Sequence, residues 1–81
     1  MRKSEAKILI YLSQVETRHK YLSRMALKLD IDNSNCCRTL HKMLEKKWIR
    51  EDRHFQGHKR VFYFVTPEAP IQEAKELMID G

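Results

Sequence analysis

Apolar residues recur along the chain in blocks whose spacing changes from helical to strand-like and back. Ala6, Ile8, Leu9, Leu12 and Val15 share one helical face, and with Ser4 as a cap and Glu5 in the first turn they predict a first helix over residues 4–16. Residues 17–20 are polar and read as a link, and Tyr21-Leu22 as one short edge strand. Ser23 can cap a second helix over residues 23–29 with Met25, Ala26 and Leu29 inward. Asp30-Ile31-Asp32 reads as a turn, with Ile31 plugging the angle between two helices. Asp32 or Asn33 can cap a third helix over residues 33–46. Its inward stripe is Cys36, Leu40, Met43 and Leu44, and its outward face is entirely polar: Asn33, Ser34, Asn35, Arg38, His41 and Lys42.

The period then changes. Residues 48–65 read as a hairpin of two strands, 48–52 and 60–65, the second rich in aromatic and branched residues, with Gly57 at the tip. Strand alternation puts Arg60 and Phe62 on the opposite face from Val61 and Tyr63. Thr66-Pro67-Glu68 is a helix-start signal, a hydroxyl cap followed by proline and an acid. It predicts a last helix over residues 67–78, with Pro70 in its first turn and Ile71, Ala74, Leu77 and Met78 on one side. The expected fold is therefore α+β, mostly α. A three-helix core carries a two- to three-stranded β-wing and a C-terminal helix, in one domain spanning residues 1–81.

Charge sharpens this picture. Residues 1–41 carry eight Lys/Arg against four acids, residues 42–60 seven against three, and residues 67–81 one against four. A basic body with an acidic tail suits a polyanionic partner for the body. On the hairpin, Arg50, Arg53, His54, His58, Lys59 and Arg60 alternate with apolar positions, which suits phosphate binding; the same charges also discourage edge-to-edge aggregation.

Other chemistries find little support. The longest apolar run, residues 8–12, is far below the roughly 20 residues that span a bilayer, and no signal-peptide core is present. Cys36 and Cys37 are adjacent in a helix and point about 100° apart, so they do not pair. Cys36 reads as a small core hydrophobe and Cys37 as partly exposed. Two cysteines and four histidines form no recognised metal-ligand spacing. No phosphate loop, paired carboxylates or placed nucleophile suggests catalysis. The expectation is no enzyme activity, no metal, no cofactor and no small-molecule effector.

The order helix, helix, helix, strand, strand, helix resembles the winged helix-turn-helix fold, and in detail the DNA-binding core of MarR-like and ArsR-like transcriptional regulators. Met25-Ala26 matches the pair before the turn, Leu29-Asp30-Ile31-Asp32 the turn, and Cys36 and Leu40 the recognition-helix core. Met43 through Ile49 matches the helix exit, Gly57-His58-Lys59-Arg60 the wing, and Val65-Thr66-Pro67-Glu68 its end. There are three departures: Asp30 and Lys47 stand where such proteins often have glycine, and His58 where the wing often has arginine.

The resemblance implies a sequence-specific regulator of double-stranded DNA, working as a homodimer in the cytoplasm of a prokaryote or, for a viral protein, of its host. Asn33, Ser34, Asn35, Cys37 and Arg38 would face base edges. His41 and Lys42 would meet the DNA backbone, as would Arg53, His54, His58, Lys59 and Arg60 of the wing. The last helix could pack back on the first or pair with a second copy; by the resemblance, Ile71, Ala74, Leu77 and Met78 would form the dimer interface. Two other classes stay open: a nonspecific nucleic-acid binder of chromatin or replication, and a winged-helix protein–protein interaction module.

Overall fold

A computed structural model describes residues 1–54 and 59–79. The elements are α1 (Lys3–Gln14), a 3-10 turn (Thr17–His19), α2 (Leu22–Leu29), α3 (Asn33–Glu45), β1 (Ile49–Asp52), β2 (Phe62–Val65) and α4 (Ile71–Ile79). The expected α+β, mostly helical architecture is present. Gly57 and His58, assigned from sequence to the wing tip, lie outside the described residues.

Helix α1 is the spine of the core. Ala6, Ile8, Leu9 and Leu12 are fully enclosed, and Tyr11 joins them while its hydroxyl donates to the His19 carbonyl at 2.8 Å, fastening the 3-10 turn. The helix starts one residue earlier than its sequence suggests, at Lys3, with Arg2 as N-cap rather than Ser4. Glu5 causes this shift. From the third helical position its Oε1 accepts the Arg2 N–H at 2.9 Å, as in the reciprocal half of a capping box. Its Oε2 accepts the Lys46 ammonium at 2.8 Å, so Glu5 is buried, at 2% exposure, yet satisfied. Lys46 also lies over the Trp48 ring, 4.4 Å from its centroid. This contact ties the start of α1 to the end of α3.

Burial alone would push the Glu5 carboxyl up, but the Arg2 N–H and the Lys46 ammonium outweigh it and hold the group below its ordinary value of 4.5. A carboxyl depressed in the folded state stabilises the fold above its unfolded pKa, and that contribution is lost as pH falls through the folded one. Glu5→Gln should therefore unfold more easily than the native chain at neutral pH. The difference should shrink as pH falls below about 4.5. Unfolding curves across pH check this, and a pH-independent difference would contradict it.

Two tight corners shape the helix-turn-helix. Helix α2 begins at Leu22 with Tyr21 as N-cap, not at Ser23, because Tyr21 is held in an antiparallel bridge to Phe62 and enters the helix directly from it. Asp30 then takes φ 55°, in the left-handed region. Ile31 N–H bonds to Ala26 at 2.9 Å and Asp30 N–H to Leu27 at 3.3 Å, a Schellman closure. Asp32 caps α3 by accepting the Ser34 and Asn35 N–H groups at 3.0 and 3.3 Å. At the other end Lys47 takes φ 64°, while Trp48 N–H reaches Met43 at 3.1 Å and Lys47 N–H reaches Leu44 at 3.0 Å. Both positions where glycine is usual are thus left-handed. Lys47→Gly should raise stability by about 0.5–1 kcal/mol, because Cβ is what makes that conformation costly. The unfolding midpoint should rise by several degrees; an unchanged or lower midpoint would refute the strain.

The strands pair antiparallel, Ile49 opposite Val65 and Asp52 opposite Phe62. They are shorter than the sequence pattern suggests, since Trp48 is used in closing α3. The expected edge strand at Tyr21 is a single bridge to Phe62, supplemented by Tyr63 N–H donating to the Lys20 carbonyl at 2.9 Å. Phe62 and Tyr63 are both buried: Tyr63 joins the helical core, and Phe62 meets the Tyr21 ring edge-on at 5.9 Å.

The last helix departs most from expectation. It begins at Ile71, not at Pro67. In a helix begun at Pro67, Pro70 would occupy the fourth position, which must donate the first helical hydrogen bond, and proline has no N–H. Proline also disfavours helical geometry at Ala69. Residues 67–69 instead form a turn closed by Ala69 N–H to Thr66 at 3.1 Å, and the Pro70 carbonyl receives Ala74 N–H, also at 3.1 Å. The Thr66 hydroxyl caps nothing; it donates toward the Lys47 and Trp48 carbonyls at 2.8 and 3.1 Å, pinning the base of the wing to the end of α3.

Helix α4 lies along α1. Ala74 is fully enclosed there, with Ile71, Leu77 and Met78 packed around the core. Among the described residues no helix is long and apolar enough to cross a membrane.

Candidate nucleic-acid interface

Helix α3 is anchored by Cys36, Leu40 and Met43, all fully buried. Burial, with the neighbouring Cys37 thiol, raises the Cys36 pKa to about 11, so this thiol stays protonated and inert. With that stripe inward, helical geometry sends Ser34, Arg38, His41 and Glu45 to the opposite, outermost ridge. All four are exposed. Asn35 and Lys42, also exposed, flank the ridge on the side nearest the start of α1. Cys37 flanks it on the side of the sheet; it is half-buried, with Sγ 3.8 Å from His41 Nε2.

The residues predicted to read bases therefore do not form one flat face. Ser34 and Arg38 lead the ridge, Asn35 and Cys37 sit on opposite flanks, and exposed Asn33 begins the helix beside the Asp32 cap. Arg38 has no ion-pair partner among the described residues, which leaves its planar, bidentate donor set available.

The wing presents its charge unevenly. Arg53, His54, Lys59 and Arg60 are exposed, the first two beside the described end of β1. Arg53 approaches Glu51 at 3.5 Å, a loose surface contact of little energetic weight. Asp52 accepts the His54 N–H at 2.9 Å and turns the chain out of the strand. Arg60 stacks over the Tyr21 ring, 4.2 Å from its centroid, and Arg50 stacks on Phe64 at 4.6 Å. These contacts hold cations along the hairpin by cation–π attraction, and both arginines are exposed. Lys20, 5.3 Å from the Phe64 centroid, belongs to the same basic surface. It was not singled out from sequence, because only the Tyr21 bridge brings the link beside the wing.

The fold has solved counterparts. A mutant of Lactococcus lactis ZitR superposes with TM-score 0.73 at 27% identity over 94% of this chain and 49% of its own. Wild-type L. lactis ZitR in complex with DNA gives 0.74 at 25% identity, over 98% and 51%. A structure of ZitR described as a zinc-responsive MarR family member gives 0.76 at 25% identity, over 98% and 52%. This chain carries a winged-helix, MarR-like domain. It spans about half the length of the ZitR chains it matches. No family model and no curated protein sequence matches it.

Within the MarR-like domain, α2 and α3 are the helix-turn-helix and the β1–β2 hairpin is the wing. The residues assigned from sequence to a dimer interface are already in use inside the protomer. Ala74 has no exposed surface to offer a partner, and Ile71, Leu77 and Met78 are half-buried against the core. The most exposed apolar residue of α4 is Ile79, at 80%, at its end. Among the described residues, no three His, Cys, Asp or Glu side chains converge to hold a metal ion.

Proposed function

We propose that the chain is a double-stranded DNA-binding transcriptional regulator that reads sequence through α3 in the major groove and grips flanking phosphates with the wing. The observation that carries this reading is the exposed polar ridge of α3, led by Ser34 and Arg38 with Asn35 alongside, next to a hairpin studded with exposed cations. Such a helix offers hydrogen-bond donors and acceptors to base edges, and such a hairpin positions the domain without reading sequence. The match to ZitR, two structures of which are DNA complexes, supports the same reading.

Asn33, Ser34, Asn35, Cys37 and Arg38 are the proposed base-reading set. His41, Lys42, Arg53, His54, His58, Lys59 and Arg60 are the proposed backbone set. A homodimer would place two α3 helices in successive major-groove segments about 34–36 Å apart. With α4 folded onto α1, its interface would use the remaining exposed part of Ile71, Leu77 and Met78, together with Ile79. The proposed setting is the cytoplasm, with no catalytic step.

Selection from random duplexes at about 150 mM salt, followed by sequencing of what stays bound, tests the function. Enrichment of one motif, doubled at one-turn spacing, is the expected result. Retention without enrichment would replace specific reading by nonspecific binding. No retention would overturn DNA binding and favour a protein-interaction module.

A further inference from the structure

The α1 side of α3 holds a feature that lies apart from the wing and shares Asn35 and Arg38 with the base-reading set. Arg2 and Ser4, at the start of α1, face Asn35, Arg38, Thr39 and Lys42 of α3 across an open, polar pocket of about 280 Å³. The four α3 residues follow helical spacing and so form one continuous stripe. Three cations from two separate helices therefore border one small space. None of Arg2, Arg38 and Lys42 has an ion-pair partner among the described residues.

The residues that line the pocket, Ile31 among them, include no acid: Glu5, next to Ser4, is turned inward and satisfied by Lys46 and the Arg2 N–H, and Asp32, next to Ile31, is engaged by the Ser34 and Asn35 N–H groups. The Thr39 hydroxyl is likewise committed, donating to the Asn35 carbonyl at 2.8 Å. The half-buried Ser4 lines the same pocket and brings a hydroxyl to it. Like charges gathered without a counter-charge repel one another, and an anion shared among them relieves that repulsion. Two arginines, a lysine and a hydroxyl around a polar pocket match the chemistry of a phosphate oxyanion.

We propose that this pocket binds one phosphodiester of the DNA backbone, with Arg2 and Lys42 as the principal cations, Ser4 as a hydroxyl donor and Arg38 on the rim shared with the base-reading ridge. The proposal rests on the DNA-binding reading above and deepens it. A helix lying in a major groove has a phosphate strand on each side. The wing lies on the sheet side of α3; the pocket occupies the opposite flank and would hold the other strand. The fold thus clamps the duplex from two sides, and α1 becomes part of the DNA interface through its first residues.

The test uses the whole chain and the duplex it selects. Arg2→Gln should lower the slope of log affinity against log salt by about 0.9, the value for one released phosphate contact, and should leave the preferred sequence unchanged. Lys75→Gln, on α4, is the control for general loss of charge and should leave the slope as it is. A series of duplexes, each with one neutral methylphosphonate linkage, locates the contact. One linkage should weaken the native protein yet cost Arg2→Gln nothing further, the signature of a shared interaction. Unfolding midpoints of the two proteins should agree, since the Arg2 side chain makes no ion pair among the described residues. An unchanged affinity and slope for Arg2→Gln, or identical methylphosphonate losses in both proteins, would overturn the pocket while leaving DNA binding intact. A native chain that selects no duplex would overturn both.

Discussion

Arg38→Ala is expected to weaken binding to the preferred duplex by about 1–3 kcal/mol, roughly 5- to 150-fold, and to relax discrimination at one base position. The packing of α3 sets this effect. Cys36, Leu40 and Met43 are fully buried, so the helix cannot roll about its axis, and the outward ridge is fixed by geometry. Arg38 lies at the centre of that ridge, in the second helical turn, exposed and without an ion-pair partner among the described residues. Its guanidinium can donate two parallel hydrogen bonds to the O6 and N7 of guanine, an arrangement that lysine or alanine cannot reproduce. Lys59→Ala is the contrast. A wing cation on a phosphate should weaken all duplexes about equally and reduce the salt slope by about one. Competition binding against single-base variants of the selected site separates the two substitutions. Should Arg38→Ala lose the same factor on every sequence, Arg38 would be a backbone contact and the base-reading assignment would pass to Ser34 and Asn35.

Ala74→Glu should destabilise the isolated domain by about 3 kcal/mol or more. Ala74 is fully enclosed where α4 crosses α1. A carboxylate there must lose its water without gaining a partner, or push the helices apart. In a domain of this size such a loss lowers the unfolding midpoint by roughly 10–25 °C. The experiment also decides what α4 does. If the helix serves mainly as an interface between copies, the substitution should shift the monomer–dimer balance and leave dilute-monomer stability almost unchanged. If α4 is part of the monomer core, as its burial indicates, stability falls at every concentration. Ile79→Lys, at the exposed end of α4, addresses association separately because it removes apolar surface without touching the core.

Much of the fold is legible in the residue pattern. Cys36, Leu40 and Met43 recur at helical spacing within a polar sequence, and only one orientation of α3 buries all three. Asp30 and Lys47 occupy positions where glycine is usual, and both adopt the left-handed geometry that glycine would favour. Asp32 caps α3 because a short side-chain oxygen before a helix can satisfy its free amides without any tertiary partner.

The misreadings arise where two local signals compete. Thr66-Pro67-Glu68 has the composition of a helix start, but Pro70 cannot supply the donor that a helix begun there requires, and the Thr66 hydroxyl is drawn to carbonyls at the end of α3. Ser4 and Ser23 are plausible caps by type. They lose that role to Glu5, which reaches back to Arg2, and to the sheet bridge that fixes Tyr21.

The candidate site divides in the same way. Sequence alone determined which face of α3 is polar, where the wing lies and where positive charge accumulates, because these follow from periodicity and composition over adjacent residues. Tertiary structure decided which residues share a space. Glu5 meets Lys46 across 41 positions of sequence, Lys20 comes beside Phe64, and Arg2 and Ser4 come to face Lys42 across one pocket. No local pattern encodes those meetings. They depend on the angle at which α1 crosses α3, and that angle is set by the whole core packing at once.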